Sequence, residues 1–256
     1  MFFKRYNPKR CVISLGINSN SPSGCPPKAW QDFPRGIKRI RERLCALGFE
    51  GDFIGWDKDL PAETVSFGPV DDKVKPFCFL EAYRRGYELV LWVDASAYFK
   101  RNPEPLFRLI EKRGYLFIEA GHSVGEFCSD AALISLGISR EKSFSLNSLW
   151  GAVFGLDLRN SRSFNFLVRL SEKAADGITF YGAKHSGVNN YPVTCSADPR
   201  VRGFRKQIIP SVIAYDLGMT KWMNKKELVN KYISIEREYV RVYDEFNGKV
   251  EQERVG

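Results

Sequence analysis

The residue with the strongest claim to chemistry is Asp94. It ends Glu88-Leu-Val-Leu-Trp-Val-Asp94, a continuous apolar run of the kind expected of a strand buried on both faces. An acid at the end of such a strand is costly unless something there uses it. Ser96 stands two residues on and carries a hydroxyl. The plain alternative is an Asp that caps the following segment.

Other side chains could share such a site. Asp57 closes the apolar stretch Gly51 to Trp56 and could hydrogen-bond a ribose or a base, or be an ordinary loop acid before Asp59. Lys75 opens a helical pattern, where its ammonium and the helix N-terminal amides can meet phosphate together; a solvated lysine is the alternative. Asp130, before Ala131-Ala-Leu-Ile134, is either a base or positioning group for a hydroxyl, or a helix N-cap. Gly16 and Asn18, in the loop after the first strand, could approach a nucleotide base, and Trp150 could stack on a sugar face or fill the core. His122 and His185 stand alone.

The elements that must position these residues follow from periodicity. Cys11 to Gly16 reads as a buried strand, and a Pro/Ser/Gly-rich loop runs from Asn18 to Pro27. Ile37, Ile40, Leu44 and Leu47 mark one face of a helix from Arg35 to Leu47, ended by Gly48. Gly51 to Trp56 is a second strand, Lys75 to Arg85 a helix with Pro76 in its first turn, and Glu88 to Asp94 a third strand. Pro105 to Lys112 reads as a helix and Tyr115 to Glu119 as a strand. Further on, Ala131 to Leu136, Ser163 to Ala175 and Ile208 to Leu217 read as helices, and Leu149 to Phe154 as a strand. Tyr232 to Tyr243 alternates like an edge strand, and Asn247-Gly248 signals a turn. Alternating strands and helices predict an α/β domain with a mostly parallel sheet covered by helices. Ligands of such sheets bind beyond the carboxyl ends of the strands, so Asp57 and Asp94 should share one rim.

The chain has 256 residues, 44% hydrophobic and 27% charged, which fits one globular α/β domain over residues 1–256, with the tail from about 222 the least patterned part. Its net charge of +9 suits phosphate-rich partners or a solvated basic surface. Six cysteines without a C-x-x-C pair, and only two histidines, argue against a structural zinc site and for free thiols in a reducing compartment. No apolar run has the length of a signal peptide or a membrane span, so a cytoplasmic protein is expected, with at most peripheral membrane contact. No nucleic-acid motif is found, and the basic residues are spread along the chain.

The stretch from Lys75-Pro through Gly86-Tyr to Trp92-Val-Asp-Ala-Ser96 resembles a group of small bacterial and viral GT-A-like glycosyltransferases. Phe127-Cys-Ser-Asp130, Trp150-Gly-Ala-Val-Phe-Gly-Leu-Asp157, Ala175-Asp-Gly-Ile-Thr-Phe-Tyr-Gly182 and Ser196-Ala-Asp-Pro-Arg-Val-Arg-Gly203 match further pieces of that group in order. The resemblance implies a GT-A fold and transfer of a sugar from a nucleotide-diphosphate donor to a glycan or other hydroxyl. It places the donor near Gly16, Asn18, Asp57, Lys75, Asp94 and Ser96, and Trp150 and Gly151 by the sugar pocket. GT-A enzymes carry Asp-x-Asp where this chain has Asp94-Ala-Ser96, and their carboxylates hold a divalent metal against the donor phosphates.

One departure matters. The group continues Gly-His-Arg-His-Asp-Gln where this chain reads Gly203-Phe-Arg-Lys-Gln-Ile208. Phe204 cannot ligate a metal, and Lys206 would repel one. Asp94 is left as the one implied metal ligand for Mn²⁺ or Mg²⁺. Arg205 and Lys206 would themselves offset the diphosphate charge in a metal-independent enzyme. Alternatively, the chain keeps the fold and binds a nucleotide, glycan or partner subunit without turnover. In an inverting enzyme Asp130 would serve as the base; in a retaining one it would not.

Overall fold

A computed structural model describes residues 7–17, 30–31, 33–61, 72–180, 196–205, 208–236 and 241–242. In chain order its first half comprises β1 (Arg10–Leu15), β2 (Trp30–Gln31), α1 (Phe33–Ala46), β3 (Asp52–Trp56), α2 (Lys75–Arg84), β4 (Leu89–Val93), β5 (Ala97–Phe99) and α3 (Glu104–Arg113). Then follow β6 (Tyr115–Leu116), β7 (Ile118–Ser123), α4 (Asp130–Ser135), α5 (Arg140–Phe144), β8 (Asn147–Leu149), β9 (Val153–Asp157) and α6 (Ser161–Ala175). The last are α7 (Ile209–Asp216), β10 (Met223–Asn224), α8 (Lys225–Lys231), β11 (Ile233–Ile235) and β12 (Arg241–Val242).

Alternation along each strand sorts the core into two faces. Cys11, Ile13, Val90, Trp92, Phe154 and Leu156 point one way, against Phe77, Cys78 and Phe79 of α2 and the apolar sides of α6 and α7. Val12, Leu89, Leu91, Val93 and Val153 point the other way, against Ile40 and Leu44 of α1 and Leu106, Phe107 and Ile110 of α3. The sheet between them runs β3-β1-β4-β9-β6. β1 pairs parallel with both β3 and β4, whereas β9 lies antiparallel between β4 and β6. Four of the five strands therefore share a direction, and the expected α/β domain with a mostly parallel, helix-covered sheet is what forms. All five residues of β4 are buried, as its unbroken apolar run requires. Each such side chain contributes roughly 1.5–3 kcal/mol by leaving water.

Three expectations are corrected. The strand expected over Leu149 to Phe154 is two strands: β8 pairs with β7, β9 joins the central sheet, and residues 150–152 carry the chain between them. Apolar residues continue through that crossing because it is buried, so hydrophobicity alone does not mark the break. Tyr115 to Glu119 likewise divides, β6 staying in the central sheet while β7 heads a three-stranded sheet with β8 and β10. The edge strand expected over Tyr232 to Tyr243 is β11, antiparallel to β5, and separately β12, antiparallel to β2. Asn247-Gly248 lies outside the described residues.

Among the described residues no helix is long and apolar enough to cross a membrane. Cys11, Cys78 and Cys128 are buried free thiols and Cys45 an exposed one; Cys25 and Cys195 lie outside the described residues. Burial pushes the thiols of Cys11 and Cys78 well above the usual cysteine range, which leaves them unreactive.

Candidate functional site

Strand register fixes which residues meet at the carboxyl end of the sheet. Leu15 pairs with Trp56, and Ile13 with Trp92. The chain therefore emerges at Gly16, Asp57 and Asp94 on one rim. The Gly16 amide ties the first two strands together there by donating to the Trp56 carbonyl at 2.8 Å. Asp57 is exposed, whereas Asp94 is half-buried, with 28% of its side chain accessible.

Asp94 is held from two sides. Trp92, two residues earlier and so on the same face of β4, donates its indole N–H to Oδ1 at 2.7 Å. Lys75, at the start of α2, donates to the same oxygen at 3.0 Å. Its ammonium also reaches the Gly151 carbonyl at 2.9 Å and Asp72 Oδ1 at 2.8 Å. An ammonium has three donors, and these contacts use all three. Burial alone would lower the Lys75 pKa, but the charges and hydrogen bonds of Asp72 and Asp94 outweigh it and raise the value above the usual lysine range. Lys75 is therefore charged at any physiological pH.

The turn that carries Asp94 is clamped from behind. Ala97 donates its amide to the Asp94 carbonyl at 2.9 Å, closing the turn, and the Ser96 carbonyl accepts from the Glu236 amide at 2.9 Å and from Arg39 at 3.4 Å. Arg39 pairs with Glu236 at 2.7 Å, and Tyr98 donates to the other Glu236 oxygen at 2.7 Å. Gly36 of α1 passes so close that a Cβ there would lie 2.1 Å from the Ala95 carbonyl oxygen. Helix, turn and tail are thus locked around one carboxylate.

Trp150 is buried beside Lys75 on the wall of a cavity of about 20 Å³, enough for about one water molecule. The Lys225 ammonium sits 4.5 Å over its ring. Its indole therefore joins core packing, with one face covered by a cation. Gly151 serves the site through its carbonyl.

A second cluster forms where residues 202–205 run beside Gly125–Phe127. Arg205 donates its amide to the Phe127 carbonyl at 2.9 Å, and its guanidinium lies 4.0 Å over the Phe127 ring. It also approaches His122 Nε2 at 3.3 Å, while His122 Nδ1 is 2.6 Å from Ser148 Oγ. Burial first, and then the charges of Arg205 and Arg202, lower the His122 pKa. The imidazole is accordingly neutral, with Nε2 accepting from Arg205 and the proton on Nδ1.

Asp130 belongs near this cluster but has its own partners, Arg140 and Ser196, the latter at 2.8 Å. It is not the N-cap of α4. Ser129 takes that role, its hydroxyl accepting from the Ala132 amide at 3.1 Å, which leaves Asp130 in the first turn. Burial alone would raise the Asp130 pKa; the hydrogen bonds and charge of Arg140, with Ser196, overcome that and lower it.

The structure thus joins Lys75, Asp94 and Gly151 by direct contact and sets Gly16 and Asp57 on the same rim. The described contacts of Asp130 and Arg205 are to other residues. Asn18, Lys206 and His185 lie outside the described residues. Asp72, an acid three residues before a helix-opening lysine, was not singled out by sequence, and Trp92 entered only as part of the Trp-Val-Asp-Ala-Ser stretch and not as a partner of Asp94.

Among the described residues no group of three or more His, Cys, Asp or Glu could hold a metal ion. Asp72 and Asp94 both pair with the Lys75 ammonium.

No family model matches the chain, and no curated protein matches it in sequence. Solved structures do. The glycosyltransferase GlyE of Streptococcus pneumoniae TIGR4 is similar over 88% of this chain and 47% of its own, at 12% identity and a TM-score of 0.41; the chain spans less than half of that protein. A glycosyltransferase involved in glycosylation of the major capsid of PBCV-1 is similar over 66% of this chain and 68% of its own, at 13% identity and a TM-score of 0.35. The galactosyltransferase LgtC, in complex with donor and acceptor sugar analogs, is similar over 66% of this chain and 67% of its own, at 9% identity and a TM-score of 0.35.

Proposed function

We propose that this chain is a GT-A-type glycosyltransferase that moves a sugar from a nucleotide-diphosphate donor to a hydroxyl acceptor. One observation carries the reading: a half-buried carboxylate, Asp94, stands at the carboxyl end of a fully buried central strand, on the rim shared with Gly16 and Asp57. In this reading the nucleoside lies along Gly16 and Asp57, and the sugar lies toward Asp94 and Gly151. The order of sequence elements from Lys75 to Gly203 supports the same assignment.

The reaction breaks the bond between the anomeric carbon and the diphosphate and forms one to the acceptor oxygen. Negative charge grows on the leaving diphosphate, so cations near it lower the barrier. Arg205 has no carboxylate among its described partners and is exposed, and with Lys206 it would supply that charge. Lys75 acts differently: with its donors spent on Asp72, Asp94 and Gly151, it fixes the Asp94 carboxylate toward the sugar. Asp130, held ionised by Arg140, would accept a hydrogen bond from the acceptor hydroxyl; its lowered pKa makes it a weak base.

The same observations also favour a second reading. Lys75 neutralises the acids at the centre of the rim, as in a fold that keeps its shape and binds nucleotide or glycan without turnover. A panel of nucleotide sugars, with and without Mn²⁺, separates the two. Release of nucleotide diphosphate that disappears in Asp94→Asn supports the enzyme; saturable binding without release supports the binder. Neither binding nor release with any donor overturns both.

A further inference from the structure

A second concave surface lies at the opposite end of the sheet. Tyr115, which begins β6, sits level with Leu156 and hence with Val90, near the amino end of β4, whereas Asp94 follows its carboxyl end. Around Tyr115 opens a cavity of about 520 Å³ whose wall includes Lys112, Arg113, Arg162 and Lys221 and, among the described residues, no carboxylate.

Local structure explains how these four cations converge. α3 ends at Gly114, whose left-handed backbone (φ 85°) turns the chain sharply into β6. The Gly114 carbonyl then accepts from the Asp157 amide at 2.7 Å and from the Ser163 hydroxyl at 2.6 Å. These bonds lock the end of α3, with Lys112 and Arg113, against the start of α6, with Arg162. The Lys221 amide donates to the Tyr115 hydroxyl at 3.1 Å and brings the segment after α7 onto the same wall.

Among the described residues these charges are not consumed internally. No side-chain hydrogen bond or ion pair of Lys112, Arg113, Arg162 or Lys221 is found among the described residues. The neighbouring carboxylates Glu111 and Asp216 are instead held by Arg159 and Arg169. Lys112 and Arg113 are explained locally, because cations stabilise the last turn of a helix. Arg162 is not. It stands in the first turn of α6, where the helix end is itself positive and no acid offsets it. Four like charges held around one cavity repel one another unless an anion joins them.

We infer that this cavity is a binding site for phosphate groups on a ligand separate from the sugar donor, either a soluble phosphate ester or a phospholipid headgroup. Guanidinium forks and ammoniums suit phosphate oxygens, and the cavity is wide enough for a group bearing more than one phosphate.

The test measures binding of two probes to the full chain at physiological ionic strength. One is inorganic tripolyphosphate; the other is phosphatidylcholine vesicles containing a phosphatidylinositol bisphosphate, against vesicles of phosphatidylcholine alone. Saturable binding of the first assigns a soluble ligand, and binding of the doped vesicles alone assigns a headgroup. In either case Arg113→Gln/Arg162→Gln and, separately, Lys112→Gln/Lys221→Gln should weaken binding about tenfold, while thermal unfolding shifts only slightly because all four residues are exposed. Asp94→Asn should leave it intact, so loss of the donor reading and loss of this one are distinguishable. Absence of saturable binding to both probes, or wild-type affinity in either double variant, overturns the inference.

Discussion

At the scale of single residues, the centre of the molecule is an ammonium shared by two carboxylates and a carbonyl. Lys75→Met would remove the ammonium that Asp72 and Asp94 share. The expected cost is about 2–3 kcal/mol, below that of a fully buried pair because both aspartates keep some contact with water. Denaturant unfolding measures it. Because folding raises its pKa, Lys75 contributes stability that is intact below its ordinary value of 10.5 and is lost only as pH rises through the folded value. His122 behaves in the opposite sense. Its folded pKa is lowered from 6.5, so the unfolded chain takes up a proton first as pH falls. Wild type should therefore lose stability relative to His122→Gln below about pH 6.5, with a constant difference above that range, as read from melting temperatures of the two proteins across pH. A difference that does not move with pH would show that folding leaves the His122 pKa unshifted. Asp94 and Lys75 were legible in the sequence because an acid after a buried strand and a lysine opening a helix are each out of the ordinary. Their contact was not, since it depends on how α2 packs against β4.

Among the elements, the best-read boundaries were those marked by local chemistry. α1, α2, α3 and α7 end within one residue of Leu47, Arg85, Lys112 and Leu217, where the pattern placed their ends. The short pieces β5, α5 and β10 went unread: each is stabilised by its place against neighbours and not by a periodic pattern of its own. Gly36 shows what that hides. It reads as an indifferent glycine within a helix, yet it lets α1 touch the turn after β4. Gly36→Ala would gain helix propensity but drive a methyl into the Ala95 carbonyl, at a net cost of roughly 1–3 kcal/mol, and would displace Asp94 with the turn. Nucleotide-diphosphate release should fall more than unfolding stability does; a variant that keeps full turnover would separate α1 from the site. At the start of α6, Asn160 accepts from the amides of Arg162 and Ser163 at 3.0 and 3.2 Å. Asn160→Ala should cost about 1 kcal/mol in thermal or denaturant unfolding.

For the whole molecule, the layered α/β plan was legible because βαβ spacing and doubly buried strands leave few other arrangements. The antiparallel β9 was not, because a buried apolar strand carries no mark of its direction. That strand has a consequence for how the chain is made. β4 pairs with β1 on one side and with β9 on the other, and β6 reaches the sheet only through β9. On the ribosome, roughly 60 residues must emerge after β4 before β9 can join, several seconds at about 5–20 residues per second. Throughout that interval the most apolar strand of the protein offers an open edge, so nascent chains halted ahead of β9 should depend on chaperones and precipitate without them.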